Sequence, residues 1–264
     1  MGSVIVAKQH GVTTITLNRP EVLNAIDTAM HHALGAAFDD FANDNAQRVC
    51  VVRGAGGRAF CAGSDLKHIR EMTVANRRAE LTYPASGYAG LVERFDLDKP
   101  VIAAVDGVAV GGGFELALAC DLIVATDKSR FGLPEPRVGA MALAGGVHRI
   151  VRQVGLKHAM GLILTARMIG ADEARGMGLI NEVVAERELD AAVSRWVSQI
   201  LQCSPASLAA SKQAALRGLE EPTLADAIAH QAAYPAFLAL RASPDNIEGP
   251  RAFAEKRAPR WADV

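Results

Sequence analysis

Four apolar side chains, Met30, Leu34, Phe38 and Phe41, recur at three- and four-residue spacing and predict a helix over 24–43 with one buried face. Ahead of it, 4–7 and 12–17 are β-branched runs on either side of His10-Gly11, a turn signal between two short strands. The run 48–53, RVCVVR, predicts a buried strand that ends in the glycine-rich loop 54–57. Residues 65–95 are polar and irregular, and predict a short helix from Asp65 followed by a partly helical lid. Pro100 opens a strand over 101–105, closed by Asp106-Gly107. Gly111-Gly112-Gly113, a compact helix over 114–120 and a strand over 122–125 come next, a spacing that points to α/β architecture.

From Gly145 onward helices dominate, over 149–154, 156–164, 171–177, 189–201 and 206–216, with one strand at 180–184. Ser204-Pro205 marks a boundary. A core over 1–204 and a helical region over 205–264, punctuated by Pro222, Pro235, Pro244 and Pro250, are therefore expected.

Composition narrows the function classes. With 264 residues, 50% hydrophobic and 22% charged, the chain is an ordinary globular one. Its 28 basic and 29 acidic residues leave a net charge of −1, which gives no electrostatic footprint for nucleic acid or an anionic membrane. Apolar runs such as 101–105 have strand length and fall far short of a membrane span. The start, MGSVIVAKQHG, does not read as a signal or transit peptide, and a cytoplasmic protein is the expectation. Cys50, Cys61, Cys120 and Cys203 are widely spaced and form neither a disulfide framework nor a metal-ligand cluster, so no metal is expected.

Four stretches could carry chemistry. Gly54, Gly56 and Ala59 formally match a dinucleotide fingerprint, but no helix start follows, and the stretch reads as a tight loop. Gly111–Gly113 precede a helix, whose first N–H groups are unpaired and sit at its positive end. Such a loop serves either as an oxyanion site or as a packing loop. Glu115 lies in that helix's first turn among apolar neighbours. It reads as an acid/base group with a pKa raised by burial, or as a structural ion-pair partner. Glu135 stands between Pro134 and Pro136, whose fixed backbone suits a positioned proton-transfer group as well as a surface turn. In the fourth stretch, 60–67, Ser64 could supply a second oxyanion N–H, Asp65 reads as a helix cap, and Cys61 as a small buried hydrophobe.

Taken together, Asn18-Arg19-Pro20, Leu23-Asn24-Ala25, AFCAGSDLK at 59–67, DKPVIAAVDG at 98–107, GGGFELALACD at 111–121, FGLPE at 131–135, Gly145-Gly146 and FAEKR at 253–257 resemble the crotonase superfamily, also called the enoyl-CoA hydratase/isomerase family. The resemblance runs over nearly the whole chain. It implies a spiral of strand–strand–helix units with a C-terminal helical region that builds trimers, or hexamers as dimers of trimers. It also implies acyl-CoA thioester substrates whose carbonyl oxygen is held by the backbone N–H groups of Ser64 and Gly112. Hydratases of the family use two glutamates, which match Glu115 (holding the water that adds at Cβ) and Glu135 (exchanging the proton at Cα). Simple isomerases commonly lack the first. The resemblance places Ala62, Asp65, Leu66 and Lys67 along the CoA moiety. Basic residues for its 3′-phosphate would come from Lys67, Arg58 and, across a subunit boundary, Lys256. No separate cofactor is implied, since CoA arrives with the substrate.

Within the family, 87–105, the helix after Gly113 and 247–259 are most similar to carnitinyl-CoA dehydratases. Ala142 and Leu143, however, stand where members often carry proline and then glycine or a polar residue. An apolar wall there disfavours a quaternary ammonium ligand. The sequence is therefore read as a general enoyl-CoA hydratase, with a carnitinyl-CoA dehydratase or an enoyl-CoA isomerase as alternatives, and a non-catalytic RNA-binding member as a further one.

Overall fold

The computed structural model describes residues 2–65 and 83–262. Strands β1 (Val4–Gln9) and β2 (Val12–Leu17) form an antiparallel hairpin, turned at His10 and Gly11, both at positive φ. From β2 onward the first sheet is parallel. It continues through β3 (Val49–Gly54), β5 (Val101–Val105), β7 (Leu122–Thr126) and β10 (Glu182–Val184). A second sheet takes β4 (Ala59–Cys61), β6 (Val108–Val110), β8 (Arg130–Gly132) and β9 (Ile169–Gly170).

These two strand orders define a spiral. Three strands of the first sheet are each followed at once by a short strand of the second: β3 by β4, β5 by β6, β7 by β8. Each of these turns advances one position in both sheets with parallel pairing, and β9 closes the second sheet antiparallel to β8. This is the expected strand–strand–helix spiral of an α/β fold.

Alternate side chains of the parallel strands enter different cores. Cys50, Val52, Val101, Ala103 and Val105 face the main core together with the second sheet and helix α1 (Thr28–Asn43). Val49, Val51, Ile102 and Ala104 face the other way, against Leu189, Ala192 and Val193 of a later helix, Leu189–Leu201. Burial on both faces explains why these strands read as continuous apolar runs. Met30, Leu34, Phe38 and Phe41 of α1 are fully buried, as their spacing predicts.

Among the described residues the remaining α-helices are α2 (Gly112–Ala119), α3 (Gly146–Val154), α4 (Leu156–Thr165), α5 (Ala171–Gly176), α6 (Leu189–Leu201), α7 (Pro205–Gly218), α8 (Leu224–His230), α9 (Pro235–Ala242) and α10 (Asp245–Ala254). Ser204 caps α7 by accepting the Ser207 N–H at 3.1 Å, and Pro235 opens α9.

Three expectations need correction. Helix α1 starts at Thr28, not at 24: Asp27 caps it by accepting the Met30 N–H, while Asn24 takes a left-handed φ of 57°. The short strands β4, β6 and β8 lie where the sequence suggests only loops, because three residues are too few to show a period. The strand expected at 180–184 begins at Glu182. The helix expected from Asp65, and most of the expected lid, lie outside the described residues.

Candidate active site

Two loops meet at the site. Gly111 closes strand β6 and caps α2, so Gly112 and Gly113 form the first turn of that helix. On the neighbouring turn of the spiral, Ala62–Asp65 leaves β4. Three backbone bonds sew this second loop to the segment before α1: Ala62 N–H to Leu23 O, Ile26 N–H to Gly63 O, and Asp65 N–H to Ile26 O, at 2.8 to 3.0 Å. The loops touch, since a methyl group on Gly63 would lie 3.0 Å from the Gly112 nitrogen. Among the described residues, neither the Ser64 nor the Gly112 backbone N–H has a protein acceptor. Two unpaired N–H groups on abutting loops, one at a helix N-terminus, suit the stabilisation of an oxyanion.

Glu115 follows in the first turn of α2. All of Gly112–Leu118 is buried, and Glu115 is only 3% exposed. Its Oε1 accepts the Gly146 N–H at 2.8 Å, from the first residue of α3. Burial pushes its pKa up to about 7, and repulsion from Glu135 adds to the rise. The Gly146 and Ala144 N–H groups and the Arg149 guanidinium partly oppose it.

Glu135 begins a 3-10 turn, Glu135–Val138, with Pro134 and Pro136 on either side. Its carboxyl approaches the Gly111–Gly113 loop, because a methyl group on Gly111 would lie 3.3 Å from Oε1. Burial raises its pKa too. Its Oε2 is buried without a hydrogen-bond partner among the described residues. An acceptor of this kind is costly unless something in the site pairs with it. Glu115 and Glu135, separate in sequence, thus lie beside one loop with raised pKa values, and the Glu115 value near 7 suits proton transfer near neutrality.

The chain belongs to the enoyl-CoA hydratase/isomerase family. A profile of that family matches residues 7–264. The chain is 38% identical over 261 residues to a carnitinyl-CoA dehydratase of Proteus mirabilis, covering 98% of both chains. It is also 38% identical to one from Salmonella typhi, again with 98% of both covered. The crystal structure of an enoyl-CoA hydratase from Bacillus anthracis superposes with a TM-score of 0.90 at 30% identity over the full length of both. One from Mycobacterium tuberculosis gives 0.90 at 34% over 99% of both. The crotonase fold of the family is thus the fold of this chain.

The other expected site residues distribute unevenly. Asp65 pairs with Arg19 at 3.0 Å, and Arg19 also reaches Asp27 at 3.2 Å, tying the loop to the cap of α1. Leu66 and Lys67 lie outside the described residues. Arg58 is exposed just before β4, and Lys256 is exposed after α10, with a φ of 53°. In the basic tail, Arg257 and Arg251 are engaged with Glu248 and Glu255. Cys61 is fully buried, its thiol pushed up to about 12, which fits a packing role and not a nucleophile.

Sequence reasoning missed three contributors. Gly146 matters through its N–H, and a glycine pair ahead of a helix was the available signal, the same as at Gly111–Gly113. Arg149, largely buried beside Glu115, donates from Nη2 to Val92 O at 2.5 Å. Tyr88 packs on the loops at Ser64 and Gly112, and no local pattern announces it.

Proposed function

We propose that this protein catalyses the reversible addition of water to a 2-enoyl-CoA thioester, giving the 3-hydroxyacyl-CoA. The observation that carries the reading is the buried Glu115 and the half-buried Glu135, both with raised pKa values, beside two unpaired backbone N–H groups. In this reading the Ser64 and Gly112 N–H groups hold the thioester oxygen and stabilise the enolate as it forms. Glu115 holds the water and takes its proton as the oxygen bonds to Cβ. Glu135, carrying a proton, delivers it to Cα. The bonds made are Cβ–O, Cα–H and an O–H on Glu115; those broken are the C=C π bond, one O–H of water and the O–H of Glu135, and proton exchange with solvent resets the two carboxyl groups. Repulsion between the two carboxylates favours a state in which one of them is protonated.

The same reading places Ala62, Asp65, Leu66 and Lys67 along the CoA chain, with Arg58, Lys67 and a neighbouring subunit's Lys256 near its 3′-phosphate. A trimer or hexamer, built by the region 205–264, belongs to it. The exposed apolar side chains of that region, including Leu219, Leu224, Ile247 and Phe253, support such an assembly. A cytoplasmic enzyme without a separate cofactor is part of the proposal. Among the described residues, no helix is long and apolar enough to cross a membrane.

Mixing crotonyl-CoA with the purified protein tests the reading. Loss of the conjugated-enoyl absorbance, with 3-hydroxybutyryl-CoA identified by mass, is expected. Retained absorbance with tight acyl-CoA binding would instead favour dehydration of a carnitinyl thioester, the second reading, which the 38% identity to carnitinyl-CoA dehydratases supports. That reaction runs the same bond changes in reverse. Among the described residues, the small cavity next to the 3-10 turn is lined by Leu133, Pro136, Ala140, Met141, Ala142, Val147 and Ile163, apolar groups that give a trimethylammonium group no aromatic or acidic partner.

A further inference from the structure

Tyr88 is a side chain that reaches both loops of the oxyanion site. Its hydroxyl lies 3.2 Å from Ser64 Oγ. It also lies against Gly112, where a methyl group would come within 2.2 Å of it. The ring is 5% exposed. A tyrosine hydroxyl this deeply buried needs a partner, and Ser64 Oγ supplies it.

The ring itself is held from behind. His31, on the buried face of α1, meets it edge-on with the ring centres 4.5 Å apart. His31 Nδ1 accepts the Ala89 N–H at 2.9 Å, which leaves the imidazole proton on Nε2. Burial lowers the His31 pKa to about 4, so the ring stays neutral at working pH. The turn carrying Tyr88 is fixed against the same helix: a methyl group on Gly90 would lie 2.4 Å from the Gly35 backbone. Helix α1, through His31 and Gly35, thus sets the position of Tyr88, and Tyr88 touches the two residues whose N–H groups face the site.

We infer that Tyr88 is a positioning residue: its hydroxyl locks Ser64 and Gly112 at the spacing their backbone N–H groups need to bind one thioester oxygen together. The inference rests on the oxyanion reading of the preceding section. It differs from the known parts of the site in that Tyr88 need not touch the reacting atoms. Its effect passes through the hydrogen bond to Ser64 Oγ and the contact with Gly112. Donor placement governs this kind of catalysis, and a misplacement near 1 Å costs about a hundredfold in rate.

The test uses a cinnamoyl-CoA carrying a para-amino donor, whose absorption moves to the red when its carbonyl is polarised. Wild-type protein should shift it. Tyr88→Phe keeps the ring and its stacking and deletes only the hydroxyl. Its shift should shrink and its kcat on an enoyl-CoA should fall by roughly ten- to a hundredfold, with KM little changed. Ser64→Ala, which keeps the backbone N–H, should reproduce both losses, and the double variant should be no worse than either single one. A full red shift and full kcat in Tyr88→Phe, with only a lower melting temperature, would overturn the inference and leave the proposed function standing. The absence of any shift with wild-type protein, although the probe binds, would remove the oxyanion reading and the inference with it.

Discussion

Glu115 Oε1 receives the backbone N–H of Gly146, the first residue of α3, across 2.8 Å. The carboxyl group therefore sits at the start of its own helix and against the start of a second one. Helix N-termini stabilise negative charge, yet the pKa of Glu115 still rises to about 7. Desolvation wins over two helix ends, two N–H donors and Arg149. Glu115 is thus poised near neutrality while its geometry is fixed by backbone.

This balance has a consequence for stability. The shift from 4.5 to about 7 corresponds to roughly 3 kcal/mol of penalty for the ionised form in the folded state. Below pH 4.5 the group is protonated in both folded and unfolded chains, and no penalty applies. As pH rises from 4.5 to 7 the unfolded chain ionises more readily, and the folded state loses stability. Glu115→Gln is neutral throughout, so its stability relative to wild type should climb over this window and level off above pH 7. Thermal unfolding of both proteins from pH 5 to 8.5 reads this. A pH-independent difference would show that Glu115 is not the strained acid inferred here.

Kinetic variants separate the two carboxyl groups from substrate binding. Glu115→Gln and Glu135→Gln each remove an acid/base group, an effect typically of about 10²- to 10⁴-fold in rate. Turnover of crotonyl-CoA should fall by that scale in both, while acyl-CoA dissociation constants measured by calorimetry stay near wild type. Wild-type turnover in Glu135→Gln would refute its assignment to the Cα proton. Because the proposed addition engages both groups in one step, the double variant should fall well short of the product of the single effects.

Gly146→Ala probes the same site from the opposite side. The added methyl group would meet both Glu115 Cγ and Oε1 at 2.8 Å and Ala142 Cβ at 3.2 Å. Relief requires moving the carboxyl group off its donor. Turnover should drop by about a hundredfold, the cost of a displacement near 1 Å, although alanine is the better helix former. Retained activity, with the fold intact by circular dichroism, would show that the Glu115 position is softer than the structure indicates.

Much of this was readable in the chain. The strand at Val101–Val105 and the helix at Leu189–Leu201 match their apolar runs residue for residue. Glu115 and the glycines before it stood out because a carboxylate in an all-apolar helix, just after three glycines, has few bland explanations. Other parts were hidden for physical reasons. Strands β4, β6 and β8 are stabilised by stacking between successive turns of the spiral, not by any local period. Tyr88 and His31 act on loops distant in sequence, and their roles exist only once α1 is docked. The spacing of Met30, Leu34, Phe38 and Phe41 says nothing about where the helix begins, and Asn24 stays outside it because its side chain competes with the helix for backbone partners.

Asn24 carries the final prediction. It is fully buried, and its Oδ1 accepts the Arg19 N–H at 2.9 Å. Its Nδ2 donates to Ala55 O at 3.0 Å and Ala59 O at 2.8 Å. One amide thus fastens the segment before α1 to both ends of the loop leading into β4, the strand that delivers Ser64. Asn24→Ala removes the partner of the buried Ala59 O and of the half-buried Arg19 N–H and Ala55 O, and alanine resists the left-handed backbone. A loss of about 3 kcal/mol or more in urea unfolding is expected, since each stranded buried group costs about 1–3 kcal/mol. Asn24→Asp keeps the acceptor but turns an oxygen toward two carbonyl oxygens, so at neutral pH it should be at least as damaging. Acidification should then recover part of its loss relative to wild type, because a protonated carboxyl group can donate to one of those carbonyls. An Asn24→Ala cost below about 1 kcal/mol would mean that water replaces the amide, and that the loop is held by the backbone bonds alone.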